Sequence, residues 1–543
     1  MKKNLAMLSM GAILFACQPS EKSASSQISE ESLKSHIEVL SSDDFQGRKP
    51  FTEGEIKTVN YLMDQFKAYG LEPGNGDSFT QDVPMVELTA MPSETMTIEG
   101  NGQTVELNVL EDFVAYTEQV VKEISLDASE LVYAGYGVVA PEYNWNDYEG
   151  LDVKGKTVVV LVNDPGFASG DSTFFKGETM TYYGRWTYKY EEAARQGAAG
   201  CLIIHETVPA GYPWLVVRNS WSGASLYLDQ SGDTYQPNVL GWITRDAAIK
   251  IFEASGEDMK NYTEMSRSAD FKPFSLGLNA SVTVNNNIKK DQSQNVIAKI
   301  TGSERPDEYI IYSAHWDHLG IGQEIDGDSI YNGAHDNASG TATMLAIAEA
   351  MAKMDKPKRT VVFLAVTAEE QGLLGSKHYG QNPIYPPAQT VANINMDGIT
   401  AWGPMKDLTV VGYGQSELED IAEEVAKKQG RYILADPDPG KGYFFRSDHF
   451  QFAKVGIPAL YASGGYEHMT KGVSYVDSLN KVYLSTQYHR PQDQYNADYW
   501  TFDGMALDGE LLMEVGMKIA NSADWPEWKP GSEFKAIREN SMQ

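Results

Sequence analysis

Helical and strand spacings of apolar residues alternate along the chain. Near its start, the spacing predicts two helices, over residues 32–40 and 53–69. Short apolar and β-branched runs then predict strands at 83–86 and 96–98, and a Gly-Asn-Gly turn follows at 100–102. The first hundred residues therefore combine packing helices with a β-rich stretch.

A regular alternation of strand and helix patterns begins at about residue 295. Strands are predicted at 295–300, 309–313 and 360–367, and a helix is predicted at 341–354. Such alternation is typical of an α/β fold, here a mixed and mostly parallel sheet flanked by helices. Ligand sites in such sheets lie at the carboxyl ends of the strands.

Residues 128–287 differ in texture, because aromatic and glycine-rich loops surround short strands such as 157–162 and one helix near 190–196. We interpret this stretch as an inserted, β-rich domain. The main domain would then consist of two parts, residues 29–127 and residues 288–543. The length of 543 residues suits more than one compact unit.

Composition narrows the range of partners. Hydrophobic residues make up 42% of the chain, which is enough to bury a sizeable core. The 44 Lys and Arg residues are outnumbered by 75 Asp and Glu residues, so the formal net charge is −31. Because that charge repels a phosphate backbone at long range, the composition argues against nucleic-acid binding.

The N-terminal residues have the pattern of an export signal. Two lysines precede an apolar stretch at residues 5–15 that is too short to span a bilayer. The run Leu14-Phe15-Ala16-Cys17 resembles the lipobox of bacterial lipoproteins. That resemblance implies a signal peptide over residues 1–17, lipidation of Cys17 and a flexible tether over residues 18–28. We expect an exported protein, anchored by lipid in the bacterial outer membrane or facing the periplasm; plain secretion is the alternative.

Imidazoles and carboxylates follow the apolar runs of the second half and recur near residue 490. Strand ends at one edge of a sheet bring such side chains into a common crevice. Zinc binds His nitrogen and Asp or Glu oxygen, and five ligands with one bridging carboxylate would give each of two zinc ions three protein ligands. The segments are His315-Trp316-Asp317-His318, His335-Asp336-Asn337, Glu369-Glu370, Asp397-Gly398 and His489.

The order His, Asp, Glu-Glu, Asp, His resembles that of the M28 family of co-catalytic zinc peptidases. The segments Asp44-Phe-Gln-Gly-Arg48 and Gly54-Glu55 are similar to that family as well, and residues 128–287 resemble a protease-associated domain. The resemblance covers most of the chain that follows the signal peptide. It implies a fold of the zinc exopeptidase type and two Zn²⁺ ions as cofactors.

The resemblance also implies a division of the metal ligands. His315 and Asp397 would complete one zinc site, and Glu370 with His489 would complete the other. Asp336 would bridge the two ions. Every ligand position that the family pattern requires is occupied in this sequence.

Other residues of these segments have expected roles around the ligands. Glu369 is the expected general base, which takes a proton from water and passes it to the leaving amine. Asp317 is a candidate for orienting His315, and Asp493, with less support, for orienting His489. His318 and His335 receive no ligand role, and we expect them to be exposed or at the rim of the site.

The sequence therefore predicts a metallopeptidase, an exopeptidase that acts on peptides and releases N-terminal residues. A carboxypeptidase acting on acidic peptides is the first alternative, and it would require a basic pocket for which Arg218, Arg446 and Arg490 are candidates. A receptor-like protein of the same fold without catalysis is the second, and the complete ligand set argues against it. The same complete set disfavours glutaminyl cyclisation.

Overall fold

A computed structural model describes residues 27–167, 169–229 and 235–543. The predicted signal peptide, Cys17 and nearly all of the predicted tether lie outside the described residues. Ile28, the last residue of that tether, is buried in the main core, so the folded part includes it. None of the helices in the described residues combines the length and apolar character that crossing a lipid bilayer requires.

The helices are numbered in chain order. They are α1 (Glu30–Leu40), α2 (Glu53–Ala68), α3 (Trp186–Arg195), α4 (Thr207–Ala210), α5 (Trp214–Ser220), α6 (Arg245–Ser255), α7 (Met259–Met265), α8 (Ser339–Ala352), α9 (Leu374–Gln381), α10 (Leu418–Lys428), α11 (His449–Lys454), α12 (Val473–Thr486), α13 (Asp503–Asn521) and α14 (Lys535–Ser541).

The strands are numbered in the same way. They are β1 (Glu72–Pro73), β2 (Thr80–Pro92), β3 (Thr95–Gly100), β4 (Gln103–Asn108), β5 (Phe113–Tyr116), β6 (Glu123–Tyr133), β7 (Val139–Ala140), β8 (Trp145–Asn146), β9 (Thr157–Leu161), β10 (Gly200–His205), β11 (Ala224–Leu228), β12 (Val239–Thr244), β13 (Phe274–Ile300), β14 (Arg305–His315), β15 (Gly320–Ile325), β16 (Asp328–Tyr331), β17 (Arg359–Val366), β18 (Thr390–Asn395), β19 (Asp407–Val410), β20 (Tyr432–Ala435) and β21 (Ala459–Ser463).

The main sheet confirms the predicted α/β class. Strands β17, β14, β18 and β21 are neighbours and run parallel. Antiparallel pairs flank this centre, β13 beside β17 and β19 beside β21. The sheet is therefore mixed and mostly parallel at its centre, and the carboxyl ends of its central strands share one edge.

Alternate residues of the central strands face two different helical layers. In β17, Val361 and Phe363 join the large core that α1, α8 and α13 cover, whereas Val362 and Leu364 face α9 and α11. Because both faces are buried, the strand reads as one continuous apolar run, as the sequence showed. This double cover leaves the edge at the strand ends as the exposed crevice.

A second, β-rich unit is built on its own cores. Strands β6, β9, β10 and β12 run parallel to one another, and the long β13 pairs antiparallel with β2, β3 and β6. Residues 96–115, which the sequence analysis placed in the main domain, pack in this second unit. The predicted boundary at residues 287 and 288 falls inside the continuous strand β13.

Most predicted elements of the main domain are confirmed, including α1, α2, α8 and β17. The largest difference is β13, which the sequence predicts only at residues 295–300. Its preceding ten residues are largely polar and exposed, so they lack the apolar alternation by which strands are recognised. Backbone pairing with β2 keeps them in the sheet.

Aromatic and charged contacts fix the insert on the main domain. Tyr182 of the insert packs against Phe445 and Phe450, with ring centroids 6.2 and 5.1 Å apart. Lys454 forms an ion pair with Glu191 at 2.6 Å. These contacts hold the start of α3 over the crevice at the strand ends.

Candidate metal centre

Three neighbouring parallel strands deliver the predicted site residues to one edge of the sheet. His315 is the last residue of β14, Glu369 and Glu370 follow β17, and Asp397 follows β18. Ala368, at the turn after β17, has a φ of 52°, a left-handed conformation that turns the chain sharply before the two glutamates. The parallel register explains why segments distant in sequence meet here.

One group of possible metal ligands forms around His315. Its Nε2 lies 3.3 Å from Asp397 Oδ1 and 3.4 Å from Asp336 Oδ1. Ligand atoms that bind one zinc ion at about 2.0 Å in tetrahedral geometry lie roughly 3.3 Å apart. The spacing therefore fits a common ion.

A second group forms around His489, which follows α12. Its Nε2 lies 3.2 Å from Asp336 Oδ2 and 3.1 Å from Glu370 Oε2. The two oxygens of Asp336 thus face different groups. The structure therefore brings the five predicted residues together in two groups that share Asp336.

The electrostatics of the cluster favour positive charge at its centre. Burial opposes ionisation of Asp336 and Glu370, but the imidazoles outweigh it, holding the pKa of Asp336 well below its usual range and lowering that of Glu370 to about 2. Burial also opposes charge on His489, yet Glu370 and Asp336 raise its pKa to about 10. Each group is stabilised by a neighbour of opposite charge.

The donor set fits zinc. In the described part of the chain, no Lys or Arg ion pair reaches the carboxylates of Asp336, Glu370 or Asp397, whose ion pairs are with histidines. Nitrogen and oxygen donors around a bridging carboxylate match the preferences of Zn²⁺. The residues His315, Asp336 and Asp397 lie within ligand distance of one another, as do His318, Asp336 and Glu370.

Glu369 faces the same crevice but belongs to neither group. Its main-chain N–H donates to Asp317 Oδ1 at 3.0 Å. Burial raises the pKa of the Glu369 carboxyl well above its usual value, even though His315 opposes the shift. A carboxylate in this environment holds a proton more readily than one in water.

Asp317 and Asp493 act on different atoms from those expected. The main-chain oxygen of Asp317 lies 3.2 Å from His315 Nδ1, while its carboxylate holds the Glu369 main chain. The Asp493 carboxylate accepts from the main-chain N–H groups of His335 and Asp336, at 2.9 and 3.0 Å. Asp493 therefore orients the loop that carries His335 and Asp336, here called the bridging loop. The two segments are more than 150 positions apart, so the sequence did not indicate this contact.

The expectation for His318 was wrong. Its side chain is 0% exposed, and its Nδ1 lies 2.6 Å from Glu370 Oε1. His335 is half-buried and stacks against Trp402, with ring centroids 5.4 Å apart. The sequence pattern could not predict this burial, because β14 ends at His315 and the strand period no longer applies at His318.

Arg48 was noted only as part of the family resemblance, yet it organises the ligand loops. The buried guanidinium donates to the main-chain oxygens of Leu40, Trp316, Asn332 and Gly333, at 2.5 to 2.9 Å. Trp316 directly follows His315, Asn332 and Gly333 precede Asp336 within a few positions, and Leu40 ends α1. Apart from the family resemblance, the sequence gives no sign of this role, because Arg48 does not lie in a run with apolar periodicity.

The cluster opens into a cavity of about 1250 Å³ between the insert and the main domain. Glu369, His489 and Arg446 line it from the main domain, and Arg185 and Trp186 line it from the insert. A space of this size accommodates a short peptide. Arg218 and Arg490, the other candidates for a basic pocket, are not part of this lining.

Parts of this chain are similar to known peptidases. Residues 295–507 match the model of peptidase family M28. Aminopeptidase NAALADL1 of Rattus norvegicus is 33% identical over 347 residues, covering 54% of this chain and 41% of that protein. A glutamate carboxypeptidase 2 homolog of Caenorhabditis briggsae is 30% identical over 200 residues, covering 35% and 24%. The chain spans less than half the length of the curated relatives it matches.

Solved structures are similar at lower identity. An aminopeptidase from Aneurinibacillus sp. strain AM-1 aligns with a TM-score of 0.48 and 20% identity, covering 92% of this chain and 96% of that chain. BSAP, a zinc aminopeptidase from Bacillus subtilis, aligns with a TM-score of 0.41 and 18% identity, covering 95% and 99%.

Proposed function

Residues 295–507 belong to peptidase family M28, and from this premise we propose that the chain is a zinc-dependent exopeptidase with two Zn²⁺ ions that releases N-terminal residues from peptides. The observation that carries the proposal is the divided Asp336 carboxylate. Its Oδ1 lies 3.4 Å from His315, and its Oδ2 lies 3.2 Å from His489. A bridging carboxylate with a ligand pair on each side can hold two ions side by side.

The ligands in this proposal are divided between the ions. His315 and Asp397 would hold one ion and Glu370 and His489 the other, with Asp336 shared. When bound, the ions would supply Lewis acidity toward the scissile carbonyl and lower the pKa of a water molecule.

Glu369 is the proposed general base. It faces the cavity without joining either ligand group, and the Asp317 carboxylate fixes its main chain. From this position Glu369 takes a proton from the attacking water and delivers it to the leaving amine. Its elevated pKa suits both transfers, because a base must also be able to release the proton.

A carboxypeptidase is the second candidate, because one observation suits it as well as it suits an aminopeptidase. Arg185 of the insert and Arg446 of the main domain line the cavity together, and neither forms an ion pair within the described residues. Two free guanidinium groups beside the metal cluster suit a substrate carboxylate. An aminopeptidase acting on short peptides would also use them, for the far end of its substrate.

The deciding experiment uses end-blocked peptides. The protein lacking residues 1–26 is assayed for zinc content and for hydrolysis of free, N-acetylated and C-amidated peptides. Loss of cleavage on acetylation alone would support the aminopeptidase, and loss on amidation alone would support the carboxypeptidase. Two zinc ions without any hydrolysis would support the receptor-like alternative.

Glu369→Gln tests the base assignment. The variant should keep about two zinc ions per chain, because Glu369 is not a ligand, while kcat falls about 100-fold or more. Zinc content is measured by atomic absorption, and kcat on the best substrate of the end-blocked series. Glu424→Gln, on the surface, is the control. Unchanged hydrolysis by the Glu369 variant would contradict the assignment.

Export and a lipid anchor at Cys17 are also part of the proposal. They rest on the lipobox-like residues Leu14 to Cys17. Radiolabelled palmitate incorporation, compared between wild type and Cys17→Ser, would test them. Membrane attachment would then keep the enzyme at the bacterial outer membrane or facing the periplasm.

A further inference from the structure

His318 contacts a proposed metal ligand and has no assigned role. We propose that His318 is a positioning residue, which holds Glu370 so that only one of its oxygens faces the metal centre. This inference rests on the two-zinc function proposed above. It adds a residue to the site, and its effect is on metal affinity.

The two oxygens of Glu370 have different partners. Oε1 lies 2.6 Å from His318 Nδ1, whereas Oε2 lies 3.1 Å from His489 Nε2. Because the ionised carboxylate can only accept, Nδ1 carries the hydrogen and donates it. The contact is short enough for a charge-assisted hydrogen bond. His318 therefore occupies Oε1 and leaves Oε2 for the ion.

The ring of His318 is itself held in place. Its side chain is 0% exposed, and a Cβ atom at Gly333 would lie 2.5 Å from two of its ring carbons. The ring also meets that of His489 edge to face, with centroids 5.9 Å apart. A glycine at 333, with a φ of 55°, thus allows the ligand loop to pack directly on the imidazole.

A fixed donor lowers the cost of binding the ion. A glutamate side chain has several rotatable bonds, and ordering them on metal binding costs conformational entropy. A hydrogen bond from a rigid imidazole makes that ordering before the ion arrives. Removing partners of this kind typically weakens metal binding by about 10- to 100-fold.

Direct ligation by His318 is the competing possibility. His318, Asp336 and Glu370 lie close enough to share an ion, and the Nε2 of His318 has no hydrogen-bond partner among the described residues. Asparagine separates the two roles, since its side-chain N–H can replace Nδ1–H but offers no imidazole nitrogen. Leucine removes both the donor and the nitrogen.

The experiment measures zinc affinity without using activity. Wild type, His318→Asn and His318→Leu are stripped of metal, and the affinity for each zinc ion is measured by competition with a chromophoric chelator. We expect His318→Leu to weaken binding of the ion held by Glu370 and His489 by about 10- to 100-fold. The affinity of His318→Asn for that ion should stay within a few-fold of wild type. The affinity for the ion held by His315 and Asp397 should be unchanged in both variants.

Two controls make the result decisive. His205→Asn changes a buried histidine of the insert that bonds to the Tyr212 main chain, and should leave both affinities unchanged. Melting temperatures of the metal-free variants separate affinity from folding. An equal loss of zinc affinity in the Asn and Leu variants would overturn the proposal in favour of direct ligation. No loss of zinc affinity in either variant would also overturn it, because His318 would then only fill space in the core.

The proposed function fails in a different way from this inference. A wild-type chain that binds no zinc would overturn both. A wild-type chain that binds one ion would contradict the two-ion site alone, and the same ranking of the His318 variants on that ion would still support the positioning role.

Discussion

Glu369 and Glu370 are adjacent, yet their surroundings give them opposite properties. Glu370 meets His318 and His489, and its pKa is lowered to about 2 despite burial. Glu369 is half-buried, and desolvation together with neighbouring carboxylates raises its pKa well above the usual value. The left-handed turn at Ala368 comes directly before both residues. Chemical identity therefore did not set their roles; their neighbours did.

His36 is a buried histidine of α1 that belongs to neither group of candidate metal ligands. Its ring nitrogens lie 2.7 Å from the Tyr61 hydroxyl and 2.9 Å from the Tyr69 hydroxyl. Burial lowers the pKa of His36 to about 4, although the nearby Glu349 opposes the shift. The ring is therefore neutral in the folded protein at neutral pH.

His36 makes stability depend on pH. Below pH 6.5 the unfolded chain binds a proton at His36, while the folded chain binds it only near pH 4. The free energy of unfolding should therefore fall as the pH drops from 6.5 to 4, by up to about 3 kcal/mol from this residue. Urea denaturation of His36→Gln should show a smaller loss between pH 7 and pH 4.5 than wild type does.

Ser32→Ala is the matched control for His36. It removes a hydroxyl 3.3 Å from the same ring but no proton-binding group, so the pH dependence should persist. An identical loss of stability on acidification in His36→Gln and wild type would contradict the assignment.

At the scale of elements, the short segment Asp43–Arg48 connects the first helix to the ligand loops. Arg48 donates to the main chain at the end of α1, after β14 and before the bridging loop. Burial lowers the pKa of Arg48 to about 10, so the guanidinium stays charged at neutral pH. One side chain thus closes hydrogen bonds that three elements leave open at their ends.

Removing this guanidinium should destabilise the main domain. Arg48→Met leaves four buried carbonyl groups without donors, and we expect a loss of about 4 kcal/mol. Arg48→Lys keeps the charge with fewer donors and should lose less. Urea unfolding followed by tryptophan fluorescence would measure both.

Arg267→Met provides the comparison for Arg48. Arg267 is half-buried and contacts two side chains, the Glu264 carboxylate and the Tyr136 hydroxyl, so its removal should cost less than about 2 kcal/mol. Equal losses in the Arg48 and Arg267 variants would show that the four carbonyl contacts contribute little.

At the scale of the whole molecule, the insert and the main domain form one cavity. Arg185 comes from the insert and Arg446 from the main domain. Burial and the charge of Arg446 lower the pKa of Arg185 to about 10, and Arg446 lies over the Tyr443 ring at 5.5 Å. In a chain with net charge −31, two cavity-lining cations that form no ion pair among the described residues suit the anionic substrate group proposed above.

The arginine pair should act on substrate binding. We expect Arg185→Gln and Arg446→Gln each to raise KM for peptides with a free C-terminal carboxylate by about 10- to 100-fold, the loss of one charge-assisted hydrogen bond. KM for C-amidated peptides should change little, and kcat should be nearly constant. Steady-state kinetics on matched free and amidated peptides measures the difference.

Arg218→Gln is the control for the pair, because Arg218 does not line the cavity. Similar increases in KM for free and amidated peptides would show that the arginines do not recognise the carboxylate. The interface between the two units would then serve only to hold the insert.

The central sheet and the five candidate ligands could be predicted from the amino-acid sequence. Each ligand of the main sheet follows an apolar run long enough to be a buried strand, and parallel strands end at one edge. His315, Glu370 and Asp397 could therefore be grouped from periodicity, and the family resemblance supplied Asp336 and His489. The full length of β13 was not predicted, because the polar residues before position 295 do not show the apolar alternation of a strand.

The side chains that surround these candidate ligands became known from the folded chain. His318 meets Glu370 across 52 positions, and Arg48 meets Trp316 across 268. Arg185 and Arg446 share a cavity although they belong to different units. Hydrogen bonds and burial depend on distances in space, and periodicity reports only the face on which a residue lies. The residues that tune the site were therefore visible only once the chain was folded.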